Sequence, residues 1–271
     1  MDGDNRPLPA NTGQREWSAR LHHNLAQVRQ NIAAACARVG RQPSEICLVA
    51  VTKYVDLPII RELLSAGVVD LGENRVQQLS RRAEALGARL DGWPEPVAPA
   101  GGSETAPAPP VPRWHMIGHL QRNKVRQVLR HVRIIHSLDS LRLADEVDRV
   151  AAELDARVDA LVEVNVSGEH SKSGVPAAEA EALIEGLRDR PRIRLRGLMT
   201  MAPFDPDPEH ARPFFAELRE MAAGLRQRGV VGPEFVHLSM GMTQDYTVAI
   251  EEGATLVRVG SALFEGLPAL E

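Results

Sequence analysis

Residues 46–72 read ICLVAVTKYVDLPIIRELLSAGVVDLG. The stretch opens on an apolar run of strand length, ICLVAVT (46–52), and continues into LPIIRELLSAG (57–67), whose apolar residues recur at helical spacing. It then returns to a second apolar run, VVDLG (68–72). A near-continuous apolar strand, a helical crossover and another such strand make a parallel βαβ unit, buried on both faces.

Working outward, the unit repeats. Further apolar runs are RWHMIG (113–118), VRIIHS (132–137), VDALVEVNV (158–166), IRLRGLM (193–199), EFVHLS (234–239) and TLVRVG (255–260), eight in all. Stretches of helical spacing such as LADEVDRVAAEL and FFAELREMAAGL lie between them. Eight strand–helix units in about 230 residues predict an α/β chain folded as a single (β/α)8 TIM-type barrel. An open doubly wound sheet is the rival, but no GxGxxG follows the first strand. Upstream, Trp17, Leu21, Leu25, Val28, Ile32, Ala35 and Val39 step by four or three and predict an extra N-terminal helix closed by Gly40. Residues 1–13 read as a flexible tail, and 14–271 as the barrel. Seven of the 19 prolines fall in DGWPEPVAPAGGSETAPAPPVP (91–112), which reads as a disordered insertion before the third strand.

The 271 residues are 44% hydrophobic and 25% charged, with a formal charge of −4, which excludes a disordered chain. No apolar run approaches the roughly 18 residues of a membrane span, and the polar start lacks signal-peptide character, so a cytoplasmic protein is expected. No cluster of Lys and Arg offers a nucleic-acid surface. Cys36 and Cys47 have neither metal nor redox spacing. Of nine histidines only His115 falls clearly at a strand end, so no metal site is predicted.

Of 32 basic residues only three are lysines: Lys53, Lys124 and Lys172. Where a charge alone suffices this chain uses Arg, so each lysine raises the question of amine chemistry. On a barrel the site is built where the strands end. Lys53 ends the first run, Gly72, Glu73, Asn74 and Arg75 the second, and His115 and Gly118 the third. Asn165 and Ser167 end the fifth, Thr200 and Met201 the sixth, and Ser239, Met240 and Gly241 the seventh. Arg258, Gly260 and Ser261 end the eighth. The last two ends read as a phosphate cradle, with Ser239 offering a hydroxyl, Gly241 close approach, a helix start at Met242, and Gly260 and Ser261 opening the last helix. A Lys at an apolar strand end, where burial favours the free amine, beside a phosphate cradle points to an aldehyde carrying a phosphate. Pyridoxal 5'-phosphate (PLP), held as an imine, is the candidate. Arg258 points to the same mouth, where it faces the pyridine nitrogen. An arginine keeps its proton, so it would leave that nitrogen unprotonated and weaken the ring as an electron sink.

The strings AVTK (50–53), GENRVQQ (72–78), WHMIGHLQRNK (114–124), EVNVSGEHSKSG (163–174), RGLMTM (196–201), LSMGMTQDY (238–246) and LVRVGSALFEG (256–266) together resemble the pyridoxal phosphate homeostasis protein family. Its members are similar to the N-terminal barrel of alanine racemase, called fold type III. The resemblance implies that Lys53 is the imine lysine, that Ser239, Gly260 and Ser261 contact the phosphate, and that Arg258 sits by the pyridine nitrogen. Asn74, His115, Met201 and Gly241 complete the expected cofactor-binding set. It further implies a cytoplasmic carrier or buffer of PLP without catalytic turnover, a monomer or weak dimer that serves PLP-requiring apoenzymes. Departures are Thr52 where Ser is usual, Val55 where a second Lys is frequent, Thr243 for the Ser of GMS, and Phe264-Glu265-Gly266-Leu267 for the closing FGxR. The alternative is a fold type III amino-acid racemase or decarboxylase. It is disfavoured because no room for a second domain is expected after Gly260. Tyr54 is expected on the strand face opposite Lys53, and Tyr246 reads better as a packing residue. Lys124 and Lys172 read as rim or loop lysines.

Overall fold

The computed structural model describes residues 12–93, 110–169 and 173–268. Its strands are β1 (Cys47–Val51), β2 (Asp70–Glu73), β3 (Arg113–Met116), β4 (Ile134–Leu138), β5 (Val158–Asn165), β6 (Val175–Pro176), β7 (Ile193–Met199), β8 (His237–Ser239) and β9 (Leu256–Val259). Eight of them run parallel in the order β4-β3-β2-β1-β9-β8-β7-β5, and pairing of β4 with β5 closes the ring. Each predicted apolar run supplies one barrel strand. The two-residue β6 was not foreseen and pairs with β5 outside the ring, through Val164 and Val175.

The helices are α1 (Thr12–Arg38), α2 (Leu57–Ser65), α3 (Val76–Leu86), α4 (Val125–Leu129), α5 (Leu141–Glu153), α6 (Ala180–Gly186), α7 (Arg212–Gln227), α8 (Tyr246–Glu251) and α9 (Ser261–Phe264). The predicted stripe of α1 buries Leu21, Leu25, Val28, Ile32 and Ala35, and the helix lies against α8 and α9. Val39 is instead exposed, because the helix ends at Arg38 and the chain turns at Gly40. At the other end α1 already includes positions 12 and 13, which were expected in the tail; residues 1–11 lie outside the described residues.

Alternation along each strand sorts side chains into an outer set under the helices and an inner set filling the ring. Leu48, Ala50, Leu71, Trp114, Ile135, Val162 and Val257 belong to the outer core, and Val49, Ile134, Leu161, Met199 and Leu256 to the inner one. On β7 the alternation breaks at Gly197, where the register with β5 jumps from Ala160↔Leu195 to Leu161↔Gly197. A side chain at 197 would meet the His237 carbonyl, so only glycine fits this bulge, which turns Met199 inward.

Aliphatic layers are the usual filling of such a ring, but this one is largely polar. Near its N-terminal floor lie Asp70, Arg113, Asp159 and Arg194, in the middle His115, His136 and His237, and toward the mouth Glu163, Ser239 and Arg258. The expected insertion at 91–112 needs correction at both ends. Trp93 is 6% exposed, donates its backbone N–H to Asp159 Oδ2 at 2.8 Å and stacks its ring on His237 with ring centroids 4.4 Å apart. Pro112 is buried, and its carbonyl accepts from the Arg89 N–H at 2.9 Å. A polar floor leaves an opening that a large amphipathic ring closes well, which proline density could not indicate. Residues 94–109 lie outside the described residues. Among the described residues no helix is long and apolar enough to cross a membrane.

Candidate functional site

Lys53 follows the end of β1 by two residues, in a turn pinned from below. The Val55 N–H donates to the Thr52 carbonyl at 3.0 Å, and Gln78 Nε2 donates to the Lys53 carbonyl at 2.9 Å. Arg82 donates to the Val55 carbonyl and to Glu73, and the Thr52 hydroxyl donates to the same Glu73 oxygen. Burial pushes the Glu73 carboxyl up, against the pull of Arg82, Thr52 and Lys53. With its backbone so held, the half-buried Lys53 side chain opens on a cavity of about 670 Å³, lined also by Asn74, Arg75, Gln78 and Arg81. The expectation for Tyr54 fails. Because β1 has already ended at Val51, strand alternation no longer applies, and the exposed Tyr54 ring lies 4.6 Å beneath the Lys53 amine.

On β9, the strand next to β1, Arg258 is 3% exposed; its Nη1 donates to Ser239 Oγ at 2.6 Å and its Nη2 to the Thr200 carbonyl at 2.9 Å. Burial lowers its proton affinity to about 10, against the pull of Glu163 and Asp245, so it remains a cation at neutral pH. Ser239 Oγ also lies 2.9 Å from His136 Nδ1. Glu163 was not singled out from the sequence, yet it lies buried in the same mouth, where burial and then Asp139 raise its carboxyl to about 7, against Arg258. Its signal was present: a carboxylate on the inward parity of VDALVEVNV, in step with Asp159 and Leu161.

The loops after β8 and β9 meet at Thr243, whose hydroxyl accepts from the Gly260 N–H at 3.3 Å and the Ala262 N–H at 3.4 Å. Thr243, Ser261 and Ala262 border a second cavity of about 590 Å³ that shares Tyr54 with the first. The predicted helix start at Met242 lies too early. Asp245 Oδ1 takes the Met242 N–H at 2.6 Å, and α8 begins at Tyr246. Gly241 has φ +89°, and a Cβ there would press on Ala249 and Tyr246, so its first duty is to let α8 approach.

Of the remaining expected residues, Asn74 is exposed at the Lys53 cavity and Met201 is half-buried against the inner core. His115 is not at the mouth: it is fully buried, with Nε2 2.9 Å from Asp70 Oδ1 near the floor. The Tyr246 hydroxyl accepts from Asn31 at 3.0 Å, as suits a packing residue between α8 and α1. Lys124 closes a 3₁₀ turn, Arg122–Lys124, that precedes α4, and Lys172 lies outside the described residues.

The family model described as "Alanine racemase, N-terminal domain" matches residues 23–268 of this closed (β/α)8 barrel. Within that class, the chain belongs to the pyridoxal phosphate homeostasis protein family. It is 40% identical over 241 residues to the pyridoxal phosphate homeostasis protein of Aquifex aeolicus, covering 89% of this chain and 95% of the relative. The identity with the protein of that name from Escherichia coli K12 is also 40%, over 251 residues, covering 90% and 95%. Among solved structures, PipY of Synechococcus elongatus PCC7942 with PLP bound superposes with a TM-score of 0.69 at 33% identity, covering 86% of this chain and 99% of PipY.

Proposed function

We propose that this chain binds PLP and carries or buffers it in cellular PLP homeostasis, without turning over amino acids. The observation that carries the reading is the Lys53 turn, which Gln78 and Arg82 hold so that the amine opens on a cavity lined by Asn74, Arg75 and Arg81, next to the one bordered by Thr243, Ser261 and Ala262, with Tyr54 lining both. When bound, PLP supplies an aldehyde that condenses with an amine, with loss of water. Lys53 offers that amine. The Gly260 and Ala262 N–H groups, with the Thr243 and Ser261 hydroxyls, offer donors suited to a phosphate. Arg258 offers only donors to a ring nitrogen, which keeps that nitrogen unprotonated. Ser239 is reassigned from phosphate contact to holding Arg258. PipY with PLP bound, a third identical over nearly its whole length, supports this reading. The setting we propose is cytoplasmic, with PLP-requiring apoenzymes as recipients and a monomer or weak dimer as the assembly.

Adding PLP to the purified protein should produce a visible absorption band that borohydride converts to a stable label on the peptide containing Lys53. Lys53→Ala and Lys53→Arg should abolish both, whereas a label on Lys124 or Lys172 would move the assignment. One observation favours a second reading, an amino-acid racemase or decarboxylase: Glu163, near 7, is a carboxyl of suitable proton affinity in the mouth. The exchange measurement described in the Discussion separates the two.

A further inference from the structure

Five buried or half-buried side chains from five strands form a continuous hydrogen-bonded chain through the barrel. At the mouth, Arg258 Nη1 lies 2.6 Å from Ser239 Oγ, which lies 2.9 Å from His136 Nδ1. His136 Nε2 is 2.9 Å from His115 Nδ1, and His115 Nε2 is 2.9 Å from Asp70 Oδ1. Arg113 Nη1 donates to the same Asp70 oxygen at 2.9 Å. His115, His136 and Ser239 have no exposed surface.

For two neutral rings, the two ends fix the direction of every bond between them. A guanidinium only donates and a carboxylate only accepts. Ser239 accepts from Arg258 and so has its own hydrogen to give to His136 Nδ1. His136 then carries its proton on Nε2 and donates to His115 Nδ1, and His115 carries its proton on Nε2 and donates to Asp70. The surroundings keep the His136 ring neutral. Burial depresses the proton affinity of His136, reinforced by His115, Arg258 and His237. His237 is itself lowered to about 4 by burial, Arg196 and His115. Trp93 covers the rings, its centroid 5.8 Å from His115 and 5.9 Å from His136. Asp70 stays an anion, since His115 and Arg113 outweigh its burial.

We infer that Asp70, His115 and His136 are positioning residues that, through Ser239, hold the Arg258 guanidinium in one orientation at the mouth, so that the barrel floor governs the group facing the cofactor ring. The inference rests on the proposal that Arg258 faces PLP. No covalent step is involved. The chain through Ser239, together with the Thr200 carbonyl, anchors a long, rotatable cation at both its terminal nitrogens and so spares it the loss of freedom a ligand would otherwise have to impose. An apolar side chain at position 136 would leave the Ser239 hydroxyl with no acceptor and free Arg258 Nη1 to turn.

The test has two independent parts. In cofactor-free protein at pH 7, ¹⁵N spectra should show His115 and His136 as neutral Nε2–H tautomers; an Nδ1–H tautomer or an imidazolium at either would overturn the assignment. In PLP-loaded protein, His136→Leu should keep the Lys53 label but shift the visible band and its pH titration, and release cofactor roughly tenfold faster, as suits loss of a hydrogen bond to a charged group. His136→Gln, whose amide both accepts and donates, should restore the wild-type spectrum. A Leu variant with unchanged band, titration and release sinks the idea, for a merely structural histidine moves none of them once the protein folds. If the Leu variant does not fold, the tautomers together with Asp70→Asn decide, the latter expected to shift the same titration. Absence of any band in the wild type would count against the PLP reading alone and leave the tautomer result standing.

Discussion

Glu163 and Thr243 show how single side chains in the mouth set measurable behaviour. The folded Glu163 carboxyl titrates near 7 against an ordinary 4.5, so the native state binds this proton more tightly than the unfolded chain. The stabilisation is full below about 4.5 and is lost as the pH rises through 7, amounting to about 3 kcal/mol. Glu163→Gln, neutral throughout, is expected to melt higher than wild type at pH 8 and nearly equal to it at pH 4; equal melting at both pH values would mean that the carboxyl is solvated. Thr243→Val removes the oxygen that accepts from Gly260 and Ala262. Losing that acceptor should cost about 1 kcal/mol in thermal unfolding and weaken PLP binding several-fold by equilibrium dialysis. The first of these residues was legible as a carboxylate on the inward parity of a strand. The second was visible only as a departure from a motif, since what its hydroxyl meets depends on where two loops cross.

The segment between α3 and β3 carries the main lesson at the level of elements. Composition rightly marks proline density there, yet a residue-type count does not register that one indole within the segment has a place waiting inside the barrel. Trp93 fills the space over His115, His136 and His237 and is anchored to Asp159. Trp93→Ala should therefore cost about 3–5 kcal/mol in chemical denaturation, the range for deleting a buried large aromatic. Replacing residues 94–109 with a short Gly-Ser linker, while sparing Gly92, Trp93 and Pro112, should leave the melting temperature and PLP binding nearly unchanged. A large loss on that replacement would show that further residues of the segment pack on the barrel. The turn after β1 teaches the same point on a smaller scale. Strand alternation predicted that Tyr54 faces away from Lys53, and it failed because the strand ends at Val51, before either residue.

For the molecule as a whole, the prediction concerns chemistry withheld. In the placement proposed, Arg258 disfavours protonation of the cofactor's ring nitrogen, and the Tyr246 hydroxyl of α8 is paired with Asn31 of α1. Carbanion chemistry needs an electron sink and a placed acid, each typically worth a hundredfold or more. Deuterium exchange at the α-carbon of a panel of L- and D-amino acids should thus not exceed that of free PLP, while PLP transfer to an apoenzyme proceeds. Exchange well above that level, lost in both Lys53→Ala and Glu163→Gln, would promote the racemase reading. By itself, the sequence determined the eight strands and their order, the N-terminal helix, and Lys53 as the amine at the mouth, because period and spacing along one strand–helix unit are local properties of the chain. It also carried the seven ordered motifs of the family. Only the tertiary structure decided that Ser239 serves Arg258, that His115 faces the floor, and that Asp70, His136 and Trp93 belong to the same network. Those partners come from different strands, and their meeting depends on the tilt and register with which the ring closes, which no local spacing encodes.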